Sequence, residues 1–590
     1  MITIGINEGI NSSVVISENG QIIFALQEER INRIKEYVGF PEKSLKFAKE
    51  YLSIKSEDIN YVCLSNLISP SYNREEFLLA YEKYAQSPLQ LFERGFYKKS
   101  LKALINYCLS PVKNQFYNFY NRKKISSNFP ENKICDCLNI SKEKIKRTDH
   151  HLNHAASAYF GCRKNHYEPH LVLTLDGGGD GICSTVYIAE KGKLSLKAFT
   201  PVKHSLGNLY SRVTYFMGMT PHEHEYKLMG LAAYGKKEFS KNIATKFATY
   251  LGLDPKNPLI FKSKVSEGTN KIVPRLTKDF WRTRFDNLAS GLQMFTEDLL
   301  IDWIKSAIQI TGIRKVVVAG GVFMNVKANK RIAEIPELDY FDVFPSCGDE
   351  TLPFGAVWLN DSRTNPQNIE KIKMDSLYLG PDGSYDLKKA ENKYKHLLNF
   401  EHLEDPTLTT AKLLAEGKIV ARCSGKMEFG ARALGNRSIL ADPSDYRTIS
   451  TINNMIKKRD FWMPFAPAIT YEKSNEYLKI PNSIPTKKYS QWMMHSFETT
   501  MKRDLFTAGV HAQDQTARAQ IVNKKTNPQF HKLIKTFGEL TGKEVILNTS
   551  FNIHGYPIVM GAIDAVEVLL KSGLTYLVVE DTLITKKENE

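Results

Sequence analysis

One pattern constrains this chain more than any other: strand, loop, strand, tight turn, strand, written twice. Ile2–Ile6 is an apolar run, Ser12–Ser17 follows, and Asn19-Gly20 turns the chain into Gln21–Gln27. Asn-Gly is favoured there because a two-residue hairpin turn needs positive φ at its centre. From Leu171 the layout recurs. Leu171–Leu175 leads into the loop Asp176-Gly-Gly-Gly-Asp-Gly181, then come Ile182–Ala189, a turn at Lys191-Gly192, and Lys193–Phe199. Two such units predict a duplicated α/β architecture whose hairpin loops face a shared cleft.

Length allows three or four domains as a prior, since the chain has 590 residues. Hydrophobic residues at 42% and charged residues at 24% exclude a disordered or fibrous chain. No uncharged apolar run reaches the length of a membrane span. The start, Met1-Ile-Thr-Ile-Gly-Ile, lacks a basic region and a cleavable apolar segment, so a cytoplasmic protein is expected. The eight cysteines are scattered, and only Cys135 and Cys137 are close. Without a second pair they are read as reduced thiols rather than a metal site.

The formal net charge is +16, concentrated between Arg94 and Arg147, where 13 Lys/Arg face three acids. A solvated helical face is the simpler reading; a docking surface for an anionic partner is the sharper one. Ser69–Arg147 is read as a helical, basic insert. Leu292–Ile308 has helical periodicity, Lys315–Ala319 is a buried strand, and Gly320-Gly321 permits a tight turn into a helix. The polar stretch Asn360–Lys373 marks a boundary between domains at 1–360 and 374–590. Strands of the second domain are clearest at Lys418–Arg422, Glu544–Leu547 and Tyr576–Val579, and Lys586–Glu590 is expected to fray.

The strongest chemical signal is Asp149-His-His-Leu-Asn-His-Ala155. His150 and His154 are four apart, so a helix puts them on one face, able to grip one metal. A polar helix start that happens to hold histidines is the bland alternative. Asp176, opening the glycine loop, and Asp349, before a helix-like run, add two carboxylates. Two imidazoles and two carboxylates suit a divalent transition metal, with iron(II) ahead of manganese or zinc. Asp349 also reads simply as a helix N-cap. Gly177, Gly178, Gly179, Gly320 and Gly321 allow a phosphate or sugar close to the backbone. No GxxxxGK[ST] run is present, so this is not a P-loop protein. Towards the C-terminus, Arg432, Lys457, Lys458, Arg459 and Arg518 lie near Gly, Pro and Asn turns. Guanidiniums hold phosphate through paired hydrogen bonds, and Asn and Ser can recognise an amide or carbamoyl group.

Several ordered strings together resemble the carbamoyltransferase family of the NodU/CmcH type, which includes nodulation-factor, cephem-antibiotic and aminoglycoside O-carbamoyltransferases. They are EERxxRxK at Glu28–Lys35, the HxxxH pair, DGGGDG, AGGVxxN at Ala319–Asn325, GxRALGNRSIxADP at Gly430–Pro443, PFAP and NTSFN at Asn548–Asn552. The resemblance covers essentially the whole chain. It implies a duplicated actin-like (ASKHA) domain, similar to that of tRNA threonylcarbamoyltransferases, followed by a YrdC-like α/β domain. It also implies an activity. The C-terminal domain joins carbamoyl phosphate to ATP, releasing pyrophosphate and making carbamoyl adenylate; the N-terminal domain moves the carbamoyl group to a hydroxyl of a small metabolite or glycan. The family's metal ligands fall on His150, His154, Asp176 and Asp349. Its carbamoyl-phosphate contacts fall on Arg432, Lys458, Arg459, Arg518, Asn548, Ser550 and Asn552, and Asn325 belongs with the nucleotide loops. Lys35 matches a lysine near substrate and adenylate. A homodimer is allowed; nucleic acid is not the expected partner.

Two departures stand out. Where the family typically has His-Asp, this chain has Gly9-Ile10, so Glu8 is taken as the substitute general base. Met463 replaces the arginine before PFAP, which either loses a phosphate contact and weakens carbamoyl-phosphate binding or shifts that role to Lys457. The alternatives are a tRNA-modifying carbamoyl-type transferase and a catalytically silent binding module.

Overall fold

The structure, a computed structural model, describes residues 1–68, 129–485 and 491–587. Near the N-terminus, β1 (Ile2–Asn7), β2 (Ser13–Glu18), β3 (Gln21–Gln27), β4 (Ile59–Leu64) and β5 (Ile145–Arg147) form a sheet in the order β3-β2-β1-β4-β5. The first three are an antiparallel meander, whereas β4 runs parallel to β1 and β5 parallel to β4. A second sheet contains β6 (His170–Gly179), β7 (Ile182–Glu190) and β8 (Lys193–Pro201). β9 (Leu251–Asp254) and β10 (Asn257–Ser263) pair apart from it as a hairpin. β11 (Lys315–Ala319) and β12 (Tyr340–Val343) complete the second sheet. Its order, β8-β7-β6-β11-β12, and its strand directions match those of the first.

Two helices fill the space between these sheets. The helix His150–Cys162 is capped by Asp149, whose carboxylate accepts the Leu152 N–H at 2.8 Å. Its histidines and its small residues Ala155, Ala156, Ser157 and Ala158 are all buried. It packs against the helix Leu352–Thr364, which in turn lies under β1. Glycine sets that approach. A Cβ at Gly355 would collide with the Asn153 carbonyl, and a Cβ at Gly5 would stand 2.6 Å from the Pro353 carbonyl.

Three expectations are revised. The glycine loop expected after Leu175 is still strand as far as Gly179, because Gly179 pairs with Ile182 and leaves only Asp180-Gly181 as the turn. The polar linker expected from Asn360 begins later, because the helix continues to Thr364. It does so because Asp361, though charged, is buried and accepts the hydroxyls of Thr3 at 2.7 Å and Ser17 at 2.6 Å. The expected insert lies mostly outside the described residues; its last part is the helix Phe129–Leu138 and then β5, which belongs to the first sheet. Three of the described basic residues there are engaged internally. Arg147 pairs with Glu8 and Glu131, Lys133 with Glu42, and Lys146 sits 3.7 Å over the Tyr61 ring.

The helix anticipated at Leu292–Ile308 runs from Phe285 to Thr311 and stops at Gly312, whose φ of 70° suits glycine. An eight-stranded mixed sheet occupies the C-terminal part, and all its strands come from Leu398–Lys586. The two parts meet through buried arginines and an aromatic contact. Arg30 donates to the Gly430 carbonyl at 2.6 Å, Arg33 donates to Ile558 and Pro557, and Phe354 packs edge-on against Phe429. Among the described residues no helix is long and apolar enough to cross a membrane.

Gly355→Ala should lower the thermal midpoint of the chain, at an overpacking cost of about 1–3 kcal/mol. Differential scanning calorimetry checks this; an unchanged midpoint means that the two helices do not need this close approach.

Candidate active site

His150 and His154 project from successive turns of one helix, their ring centroids 4.8 Å apart. Asp176 follows β6 out of the core, and Asp349 opens the single 3-10 turn before the helix Leu352–Thr364. His154 Nε2 lies 3.2 Å from Asp176 Oδ2 and 3.5 Å from Asp349 Oδ1, and His150 Nε2 lies 3.6 Å from the same Asp349 oxygen. All four ligand atoms fall within 4.8 Å of one another. Donors about 2.1 Å from a shared ion stand roughly 3.0–3.4 Å apart, so the spacing suits one divalent cation.

The orphaned nitrogens support that fit. Neither Nε2 makes a hydrogen bond, although both histidines are buried. A buried polar atom without a partner is costly, and a cation removes that cost. Burial pulls the His154 imidazole down, but the carboxylates of Asp176 and Asp349 beside it outweigh that and lift it to about 9. Burial pushes Asp176 up, and His154 overrides that to hold it well below the carboxylate range. A proton and a cation therefore compete for His154 Nε2.

The carboxylates face a cavity of about 710 Å³, with the histidines behind them. Its lining also includes Arg432, Arg459, Arg518 and Lys457, with Ser550 and Asn552. Among the described residues Arg432, Arg459 and Arg518 have no hydrogen bond or ion pair; Arg459 stacks over Phe465, at 5.1 Å. Burial pulls all three guanidiniums down from their ordinary value, and their mutual repulsion adds to this for Arg459 and Arg518. Lys457 Nζ donates to Ser550 Oγ at 3.0 Å, to Asn552 Oδ1 at 2.6 Å and to both residues' carbonyls. Burial, then Arg459 and Lys35, push its ammonium well below the usual lysine range. Three guanidiniums without a carboxylate partner, beside the Lys457 amine, make a receptor for a polyanion.

Other predicted residues fall as follows. Gly177, Gly178, Gly321 and Asn325 line the cavity, as does Lys35, whose Nζ is 2.8 Å from Glu223. Gly179 is outside the lining; its missing Cβ leaves room for the His150 ring. Gly320 also lies outside, with φ 107° and backed against the Leu175 backbone. Lys458 is exposed and Lys457 takes its place, because Lys458 adopts φ 45° after a π-turn. Asn548 is turned to structure, donating to Ala433 O at 3.2 Å and Gln520 Oε1 at 2.8 Å. Glu8 is buried away from the cavity and paired with Arg147 at 3.0 Å, so the substitute-base assignment loses its geometry. Ile10 and Asn11 face the cavity instead.

Sequence reasoning missed Ser346 and Glu350. Ser346 Oγ donates to Glu350 Oε1 at 2.5 Å and accepts the Ala431 N–H at 3.0 Å. Burial pushes Glu350 up to about 7, with Ser346 opposing and Asp349 adding to the rise. The only sequence hint was Glu350 standing next to Asp349.

The chain matches the Carbamoyltransferase N-terminus over residues 3–358 and the Carbamoyltransferase C-terminus over 411–586. It belongs to the carbamoyltransferase family and is an enzyme of that kind. It is 30% identical to "Uncharacterized protein MJ1051" of Methanocaldococcus jannaschii, over 99% of each chain. It is 28% identical to the nodulation protein NolNO of Sinorhizobium fredii, over 98% of this chain and 79% of that one. A 3'-hydroxymethylcephem-O-carbamoyltransferase of Amycolatopsis lactamdurans is 33% identical over 30% of this chain and 32% of its own. Among solved structures, component A of the Acidaminococcus fermentans (R)-2-hydroxyglutaryl-CoA dehydratase covers 62% of this chain and 98% of its own. That likeness, at 13% identity and a TM-score of 0.32, is too slight to carry an argument.

Removing divalent ions with a chelator and then adding Mn²⁺ or Zn²⁺ should raise the thermal midpoint, because a ligand held only by the folded chain stabilises it by about 2.7 kcal/mol at a hundred times its Kd. The His154→Ala variant should lose most of that shift. A shift of the same size in His154→Ala counts against the cluster.

Proposed function

We propose that this carbamoyltransferase is ATP-dependent and works in two steps within one cavity, ending on a hydroxyl of a small metabolite or glycan. The observation that carries this is a single cavity whose lining holds both the Asp176 and Asp349 carboxylates and Arg432, Arg459, Arg518 and Lys457. In the first step carbamoyl phosphate, ATP and water give carbamoyl adenylate, phosphate and pyrophosphate. In the second the acceptor oxygen bonds to the carbamoyl carbon, the bond to the AMP oxygen breaks, and the hydroxyl proton is lost. The relative named as a cephem O-carbamoyltransferase supports a hydroxyl acceptor.

The chain's residues suit those steps. The three guanidiniums hold phosphoryl oxygens and stabilise charge that grows as pyrophosphate leaves. Lys457, steered by Ser550 and Asn552, adds an amine donor from the cavity wall. Gly177, Gly178 and Gly321 let a phosphate or ribose reach the backbone, and Asn325 lies beside them. Lys35 belongs to the first domain assigned here, residues 1–360, and lines the same cavity as the arginines of the second, 374–590. Carbamoyl adenylate is a reactive mixed anhydride, and using it where it is made keeps it from water and raises its effective concentration. His150, His154, Asp176 and Asp349 would hold a divalent cation, which as a Lewis acid polarises a bound oxygen. In this reading the first domain is a duplicated actin-like unit and the second is YrdC-like; the shared topology of the two five-stranded sheets supports the first half of that statement.

The two steps should separate by mutation. With ATP and carbamoyl phosphate, Arg518→Ala should cut pyrophosphate release by about 100-fold or more, the usual scale for a charge-stabilising donor. His150→Ala should keep pyrophosphate release but stop the gain of one CONH unit by candidate acceptors, read by mass spectrometry. Undiminished pyrophosphate release from Arg518→Ala would place the first step elsewhere.

A further inference from the structure

We propose that Asn66 is the positioning residue for His150, setting which imidazole nitrogen meets the cation. Asn66 is buried, and its side-chain oxygen lies 2.9 Å from His150 Nδ1. The cation cluster requires a lone pair at Nε2, which leaves the ring proton on Nδ1. That N–H needs an acceptor, and Asn66 Oδ1 is the atom in reach. His154 has no equivalent: among the described residues its Nδ1 has no hydrogen-bond partner. His150 and His154 are therefore unequal, one locked by a neighbour and the other placed only by its rotamer and packing.

The surroundings hold Asn66 to this task. Asp180 Oδ2 accepts the His150 backbone N–H at 2.9 Å and the Leu67 N–H at 3.0 Å, while its Oδ1 accepts the Ile68 N–H at 3.0 Å. One carboxylate thus fastens the segment just after Asn66 to the first residue of the metal helix. The Asn66 carbonyl accepts from Arg147 at 2.9 Å, which steadies the same segment from its other side. Gly179 then leaves the space that the His150 ring occupies. The DGGGDG run at the end of β6 accordingly serves His150 three ways, through a fellow ligand at Asp176, an absent side chain at Gly179 and a clamp at Asp180. Asn66 completes the set from a different sheet. A hydrogen-bond partner of this kind fixes ring orientation and tautomer, and its loss costs about 10–100-fold in metal affinity.

This inference rests on the cation reading of the cluster, and the experiment separates the two. The full chain, stripped by a chelator, is titrated with Mn²⁺ and with Zn²⁺ in competition with a chromophoric chelator, and the melting midpoint of each stripped protein is recorded. Asn66→Ala should bind about 10–100-fold more weakly. Asn66→Asp, which keeps the acceptor oxygen, should bind as tightly as the wild type or tighter. Thr174→Val removes the 2.8 Å hydrogen bond to His151 on the same helix and should leave the affinity unchanged, whatever it does to the midpoint. If Asn66→Ala fails to fold, Asn66→Ser takes its place. Equal affinity in wild type and Asn66→Ala overturns the assignment, as does an equal loss in Asn66→Asp and Asn66→Ala. A wild type that takes up neither ion overturns the cation site, and the role of Asn66 with it.

Discussion

Four ionisable side chains from three stretches of chain share a space less than 5 Å across, with both imidazoles buried. Gathering two carboxylates there costs desolvation and repulsion, which only a counter-charge offsets. The fold supplies the framework for it. β6 delivers Asp176, the turn before the helix Leu352–Thr364 delivers Asp349, and the His150–Cys162 helix passes between them. Each element sits where the next allows it, through close approaches at Gly5, Gly355 and Gly179 that leave no room for a Cβ. The same elements that form the core of the N-terminal part therefore also form the site.

A second constraint joins the two parts of the chain across the cavity. Ser346 holds φ 65°, outside the usual range for a residue with a Cβ, at a cost of about 1–3 kcal/mol. In that conformation its hydroxyl bridges Glu350, next to Asp349, and the Ala431 N–H, next to Arg432. Gly430 has no Cβ, and one there would meet the Ser346 side chain. Arg30 also reaches the Gly430 carbonyl. The segment that carries Arg432 is thus docked on the segment that carries Asp349 through short, directional contacts.

Much of this was legible in the sequence, for physical reasons. Hairpin signals at Asn19-Gly20 and Lys191-Gly192 are local, so both meanders could be placed from spacing alone. The i, i+4 spacing of His150 and His154 gives one helix face without tertiary information. What depends on register was harder. The one-residue difference between Lys457 and Lys458 follows from a π-turn that no pattern announces. Asn548 lies in a string that resembles a binding motif, yet its amide is used to hold Ala433 and Gln520. Glu8 looked available because Arg147, its partner, is distant in the chain and joins it only when β5 adds to the sheet. Asn66, a lone polar residue after a strand, carries no local signal at all.

The cavity carries two kinds of charge in one lining. Arg432, Arg459 and Arg518 form a cationic set and Asp176 and Asp349 an acidic one, so an anionic group and a metal ion are drawn to different side chains of the same space. Ile10 and Asn11, from the short segment between β1 and β2, line that space too. Under the proposed function the guanidiniums would answer for the donor, and the β1–β2 segment could vary with the acceptor without disturbing them.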